Sequence, residues 1–133
     1  MKVVCDTNVL VAGMVAEGLC RDIVKRRLLH AELITSRASL DELARTLRKK
    51  FGTDPAEVPF LKIYRERATL VRPASLPHPV CRDRDDDKVL ATAVAGQADI
   101  IVTGDDDLLV LVEYQGIRIL SPRQFVDMLD HGA

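Results

Sequence analysis

Short, mostly apolar runs alternate along this chain with longer stretches of helical spacing, and that alternation narrows the fold more than any other feature. "KVVC" at 2–5, "ELIT" at 32–35, "DIIVTG" at 99–104 and "IRIL" at 117–120 read as short buried strands. Between them, Leu19 to His30 carries Leu19, Cys20, Ile23, Val24 and Leu28 at helical spacing, and about Ser39 to Phe51 does the same with Leu40, Leu43, Leu47 and Phe51. Asp54 as an N-cap and Pro55 at the first helical position predict a further helix towards Ala68, with Pro59 blurring its start. Pro73, Pro77 and Pro79 mark a connecting loop. A helix from about Asp86 to Gln97, a turn at 104–111 and a closing helix from Pro122 to Asp130 complete the reading. Strands alternating with helices call for a parallel sheet covered on both faces, and right-handed crossovers reduce the topology to a doubly wound, three-layer α/β/α sandwich. At 133 residues the expectation is one domain, 1–133.

Composition removes several classes of function. No apolar run approaches the roughly 20 residues that span a bilayer, so no membrane partner is expected, and the opening run with its early Asp6 is unlike a secretory signal. Cys5, Cys20 and Cys81 lack metal-ligand spacing and read as reduced thiols of a cytoplasmic protein. Trp is absent and aromatics are 4%, which argues against base-stacking platforms. The net charge of −1 conceals a segregation. Acids crowd the third quarter of the chain, while Arg21, Lys25, Arg26, Arg27, Arg45, Arg48, Lys49 and Lys50 lie earlier, a pattern that fits an acidic centre with basic flanks.

The acids fall where a sheet of this kind keeps its ligands. Asp6 ends the first strand and Asp105 follows "IIVT", so both belong at the carboxyl edge, where open α/β sheets bind. A helix N-cap would account for either one singly. Glu42 lies in "SLDE", a capping-box pattern with Ser39 at the cap, and off the Leu40/Leu43/Leu47 stripe. "RDRDDDKVL" exceeds what a helix dipole needs: Asp83, Asp85, Asp86 and Asp87 repel one another, and packed carboxyls rise in pKa unless a cation neutralises them. "GDDDLL" repeats the arrangement at another strand end. Carboxylate oxygens without nearby His or Cys suit Mg²⁺ or Mn²⁺ rather than zinc. His30, His78 and His131 are scattered, and neither G-x-x-x-x-G-K nor G-x-G-x-x-G occurs. Metal-assisted hydrolysis is the reaction class that remains.

With Asp6, Glu42, Asp87 and Asp105 in order, the sequence resembles a PIN domain, and most of all the toxin components of toxin–antitoxin systems, the VapC-like ribonucleases. "VVCDTNVLVAG" is similar to the family's opening strand and Asp-Thr-Asn turn. "TSRASLDELARTL" resembles its acidic helix, and "RDRDDDKVLATAVAGQADIIVTGDDDLLVL" its third and fourth acidic motifs. "IRILSPRQFVDML" resembles its last strand and helix. Two departures stand out: Asp83-Arg84 where an Asp-Pro is common, and Asp106 where a basic residue is frequent. The resemblance implies a Mg²⁺- or Mn²⁺-dependent endoribonuclease with Asp6, Asp87 and Asp105 as principal ligands and Glu42 as a water-mediated ligand or water-orienting group. Asn8, Thr103 and Asp107 would support the ligands, and Asp86 or Asp85 could substitute for Asp87. It also implies an antitoxin partner over the acidic cleft and pairing as a homodimer.

Rival readings have expected marks of their own. A haloacid-dehalogenase-type phosphatase wants a second Asp two residues after the first, where Asn8 stands. A receiver-type signalling module wants a lysine after a late strand, and "SPRQF" supplies none. A non-catalytic PIN-like scaffold that binds RNA or protein would show an eroded acidic set, whereas all four acids are present.

Overall fold

A computed structural model describes residues 1–131. The chain runs β1 (Lys2–Cys5), α1 (Thr7–Val15), α2 (Leu19–Lys25), β2 (Glu32–Thr35), α3 (Arg37–Phe51), α4 (Pro59–Arg67) and β3 (Thr69–Leu70). It continues through α5 (Arg84–Ala95), β4 (Ile100–Val102), α6 (Asp106–Leu109), β5 (Glu113–Tyr114), β6 (Ile117–Leu120) and α7 (Pro122–His131). The six strands form one sheet in the order β3-β2-β1-β4-β6-β5, parallel except for the antiparallel β5–β6 edge. The α/β/α expectation with its central parallel sheet holds, and the short edge strand β5 adds one antiparallel pairing. The hairpin that reverses β5 turns on Gln115 and Gly116, both at positive φ, the pairing that tight two-residue turns demand.

Alternation along each strand divides the core in two. Val3, Cys5, Leu33, Ile100 and Val102 face α1, α2, α3, α4 and α7, while Val4, Ile34 and Ile101 face α5 and α6. Helices therefore cover both faces of the central parallel strands, as their apolar runs require. No described helix is long and apolar enough to cross a membrane.

Several boundaries moved from the sequence reading. The stretch 19–30 is a short helix ending at Lys25 followed by a 3₁₀ turn at Arg27–His30, because Arg26 adopts φ −125° and breaks the run. Helix α3 begins two residues earlier than expected. Its cap is Ser36, whose Oγ accepts from Ser39 N at 3.2 Å, so Ser39 is not the cap and Glu42 is not its capping-box partner. The stretch after Asp54 is split: Pro55–Glu57 is a 3₁₀ turn capped by Asp54, and α4 starts at Pro59. Helix α1 carries no amphipathic period in its sequence because it is apolar nearly all round, with Thr7, Val9, Leu10, Val11 and Gly13 all buried.

Order matters at the centre of the sheet. β1 lies between β2 and β4, so the connections leave it in opposite directions and open a crevice at the carboxyl ends of β1 and β4. The register pairs Cys5 with Val102 and Val102 with Leu120, which puts Asp6, Thr103 and Ser121 in one row along that edge.

Helix α1 approaches α2 closely at Gly13. A Cβ there would sit 2.4 Å from Val24 Cγ2 and 2.7 Å from the Cys20 carbonyl oxygen, and the backbone atom cannot rotate away. Gly13→Ala is expected to destabilise the fold by about 1–3 kcal/mol, the usual cost of overpacking, read as a lower urea midpoint at unchanged slope. A variant as stable as the parent would show that the two helices separate freely.

Candidate metal centre

The site grows from the row at the β1 and β4 ends. Asp6 N donates to the Val102 carbonyl at 2.9 Å, fixing the residue after β1 against β4. Asp6 stands at the N-cap of α1 yet accepts no cap bond there, so its carboxylate serves elsewhere. Thr103, fully buried, donates from Oγ1 to Asp6 Oδ2 at 2.7 Å and accepts from Asp105 N at 3.0 Å. One hydroxyl thus holds both strand-end acids. Asp105 in turn accepts from Asp107 N at 2.8 Å and starts α6.

Helix α5 supplies a third group. Asp83 caps it, accepting from Asp85 N at 2.9 Å. Successive helical residues turn by about 100°, so Asp85, Asp86 and Asp87 cannot share a direction. Asp6, Asn8, Glu42, Asp83, Asp85, Asp86 and Asp105 line one cleft of about 190 Å³. Asp87 does not line it: its Oδ1 accepts from Cys81 N at 2.8 Å and its Oδ2 from Val80 N at 3.2 Å, so both oxygens tether the incoming loop. Against the expectation that Asp87 converges with Asp6 and Asp105, Asp86 lines the cleft with them, alongside Asp83 and Asp85. The signal was present in the sequence. Leu90 and Ala93, both in the core, lie four and seven residues after Asp86 and therefore share its side of the helix.

Asp86, Asp105 and Asp107 each present an oxygen, the three lying within 4.8 Å of one another. Asp107 is already engaged on one side, its Oδ1 accepting from Arg82 at 2.7 Å. Thr46 and Lys50 also line the cleft and went unremarked as site residues in the sequence; they follow Glu42 by four and eight residues, on its face of α3. His30, His78 and His131 do not line it, and all three cysteines are free thiols.

The electrostatics follow from this crowding. Burial, then the facing Asp105 carboxyl, then Asp6 and Asp83 push Asp86 up to about 7. Its Oδ2 is buried with no hydrogen-bond partner among the described residues. Asp6 is raised by burial and by Asp105, although the Thr103 bond pulls it down. Glu42 is raised by burial, Asp85 and Asp6, against Arg45 and Lys88. An unpartnered buried carboxylate oxygen among like charges is what a hard divalent cation satisfies, and an all-oxygen donor set suits Mg²⁺ or Mn²⁺.

Comparison with known proteins agrees with this geometry. The PIN domain family matches residues 2–107. The chain also aligns with an uncharacterized protein of Methanocaldococcus jannaschii, 26% identical over 142 residues, covering 96% of this chain and 90% of that protein. The chain belongs to the PIN domain family, whose members are generally metal-dependent nucleases, and its acidic cluster is a candidate metal site.

The cluster sets a pH dependence. An unfolded Asp titrates near 3.9, whereas folded Asp86 titrates at about 7. Between those values the folded chain binds the extra proton, so metal-free stability is highest below about pH 4 for this group and falls as pH rises through about 7. The upward shifts of Asp6 and Glu42 act with the same sign. In chelator, thermal melts from pH 4 to 8 are expected to show this decline, and Asp86→Asn to flatten it and raise the melting temperature at pH 8. An Asp86→Asn protein that melts lower than the parent at pH 8 would refute the repulsion.

Proposed function

We propose that this PIN-domain chain, acting as one nuclease domain over residues 1–133, is a Mg²⁺- or Mn²⁺-dependent ribonuclease that hydrolyses RNA phosphodiester bonds. The observation that carries the reading is the convergence of Asp86, Asp105 and Asp107, with Asp6 lining the same cleft, beside a buried Asp86 oxygen that has no partner among the described residues. In this proposal Asp6, Asp86 and Asp105 hold the ion. Bound there, a divalent cation reverses the local field for an anionic phosphodiester and lowers the pKa of a water.

The chain's own groups supply the rest. Glu42, on the opposite wall of the cleft, orients the attacking water and takes its proton, a role its raised pKa favours. Thr103 keeps Asp6 and Asp105 in fixed relation, and Asp107, braced by Arg82, limits the movement of α6. Asn8 and Lys50 at the cleft wall supply donors for phosphate oxygens. Asp87 shapes the loop before α5 and holds no ion.

Single-stranded or structured RNA should be cleaved with Mn²⁺ or Mg²⁺, and chelator should stop it. Asp6→Asn, Asp86→Asn and Glu42→Gln are each expected to lower kcat by at least about 10²-fold, the scale on which loss of one transition-state-stabilising group is felt. Asp87→Asn should be milder. Wild-type rates in both Asp6→Asn and Asp86→Asn would end the assignment.

Within that activity we place the protein as the toxin of a toxin–antitoxin pair in the cytoplasm, on the resemblance of its acidic motifs to VapC-like ribonucleases. The antitoxin would cover the cleft and present an Arg to its carboxylates, with exposed faces of α2 and α3 available for a homodimer contact. Induced expression is expected to arrest growth, and a neighbouring gene product to rescue it. Harmless overexpression of an active nuclease would rule the toxin role out.

A further inference from the structure

The acidic cleft does not stand alone. Its Glu42 and Asp85 also line an adjoining groove of about 240 Å³, together with Ala38, Ser39, Asp41, Arg45 and Lys88. Lys88 also lines a larger, open hollow of about 630 Å³ beside the proline loop. The three hollows therefore share walls and follow one another around the first turns of α5.

Their chemistry changes along the way. Carboxylates dominate the first hollow. In the second, Arg45 follows Glu42 by three residues on α3 and Lys88 follows Asp85 by three on α5, so each acid on the shared wall has a cation one turn along its helix, while Asp41 adds a third acid. Arg45 and Arg84 make no ion pair among the described residues, and Lys88 makes only an exposed one with Asp85 at 3.6 Å. Such a pair is worth little in water and is readily traded for a phosphate. The third hollow combines an apolar lining of Leu76, Pro77, Pro79 and Ala91 with Arg84 and His78. Its volume lies within the roughly 300–1,000 Å³ of sites that take small organic groups.

The loop that lines the third hollow is anchored at two places. Asp87 accepts from Val80 N and Cys81 N, and Ala74 N donates to the Ala91 carbonyl at 3.1 Å. Both tethers end on α5, the helix that also carries Asp86 and Lys88. The position of the cavity is therefore fixed relative to the metal centre.

We infer that the groove and the proline-walled cavity form one track for a single RNA strand leaving the cleft, with Arg45, Lys88 and Arg84 meeting successive phosphates and the cavity receiving an unstacked base. A strand suits this sequence of surfaces because it alternates anionic phosphates with flat, weakly polar bases. A duplex keeps its bases stacked inside and has none to offer the cavity. The inference rests on the ribonuclease reading and adds the substrate's form and path.

The test is binding of a short fluorescent single-stranded RNA with Ca²⁺ present, followed by anisotropy over a series of KCl concentrations, with strand integrity checked on a gel. Each phosphate contact on a single strand contributes about 0.7 to the slope of log K against log salt. Arg45→Ala, Arg84→Ala and Lys88→Ala are each expected to weaken binding several-fold and lower the slope by about 0.7. His78→Glu should weaken a long strand and leave a dinucleotide, which reaches only the cleft, unaffected. All four lie on the exposed surface, so misfolding is not a concern. Wild-type affinity and slope in the three basic variants, with RNA cleavage intact, would overturn the track and leave the nuclease standing. Loss of RNA binding in those variants of a protein that cleaves nothing with any metal would support the track and remove the nuclease.

Discussion

A single buried hydroxyl sets the geometry at the centre of this molecule. Thr103 Oγ1 donates to Asp6 and accepts from the Asp105 amide, joining two acids 99 positions apart in sequence. It can do so because β1 and β4 are parallel neighbours in a register that brings their ends level. Slip that register by one residue and Thr103 changes faces, Asp6 loses its donor, and the apolar side chains of both strands turn to the wrong layer. Sheet pairing and site assembly are thus one constraint: the core residues Val3, Cys5, Ile100 and Val102 that lock the register also aim the carboxylates.

The carboxylates are costly to the fold they sit on. Dipole attraction at the start of α5 and the Asp83 cap offset part of the repulsion, and Thr103 offsets part of it at Asp6. Asp86 has no such relief, since one of its oxygens is buried and unpartnered among the described residues. A chain selected for stability alone would place an apolar or amide side chain there. Keeping an ionisable group whose titration is pushed to about 7 is the pattern of a site that stores repulsion until a ligand removes it.

Much of this was legible in the residues, and the failures have physical causes. The strands of the parallel core announce themselves by apolar content, and the acids at their ends follow from where α/β sheets bind. The two-residue strands β3 and β5 carry no pattern, because neighbours rather than propensity hold them. Helix α1 was hidden by being buried nearly all round, so no amphipathic period exists to find. Glu42 resembled a capping residue because Ser39 and Ser36 both suit the cap, and only the backbone shows that the chain enters the helix at Ser36. Asp86 and Asp87 are chemically identical neighbours. Composition cannot separate them, whereas the phase of Leu90 and Ala93 can.

Helix phase sorts the charges as well as the acids. Net charge near zero suggests a protein indifferent to polyanions, yet the fold separates its charges by position. Helix phase places Glu42 in the cleft and Arg45 in the groove beside it, and does the same for Asp85 and Lys88. An approaching strand therefore meets a mixed field along the groove, where Arg45 and Lys88 stand among three acids, and repulsion at the bare cleft. A divalent cation among the carboxylates would invert only the second of these fields, since the basic residues lie one turn away. The same two helices would then hold the phosphates on either side of the point where charge must be neutralised, without any change in backbone. What the metal alters is the sign of the field at one end of a path that the side-chain periodicity of α3 and α5 has already laid down.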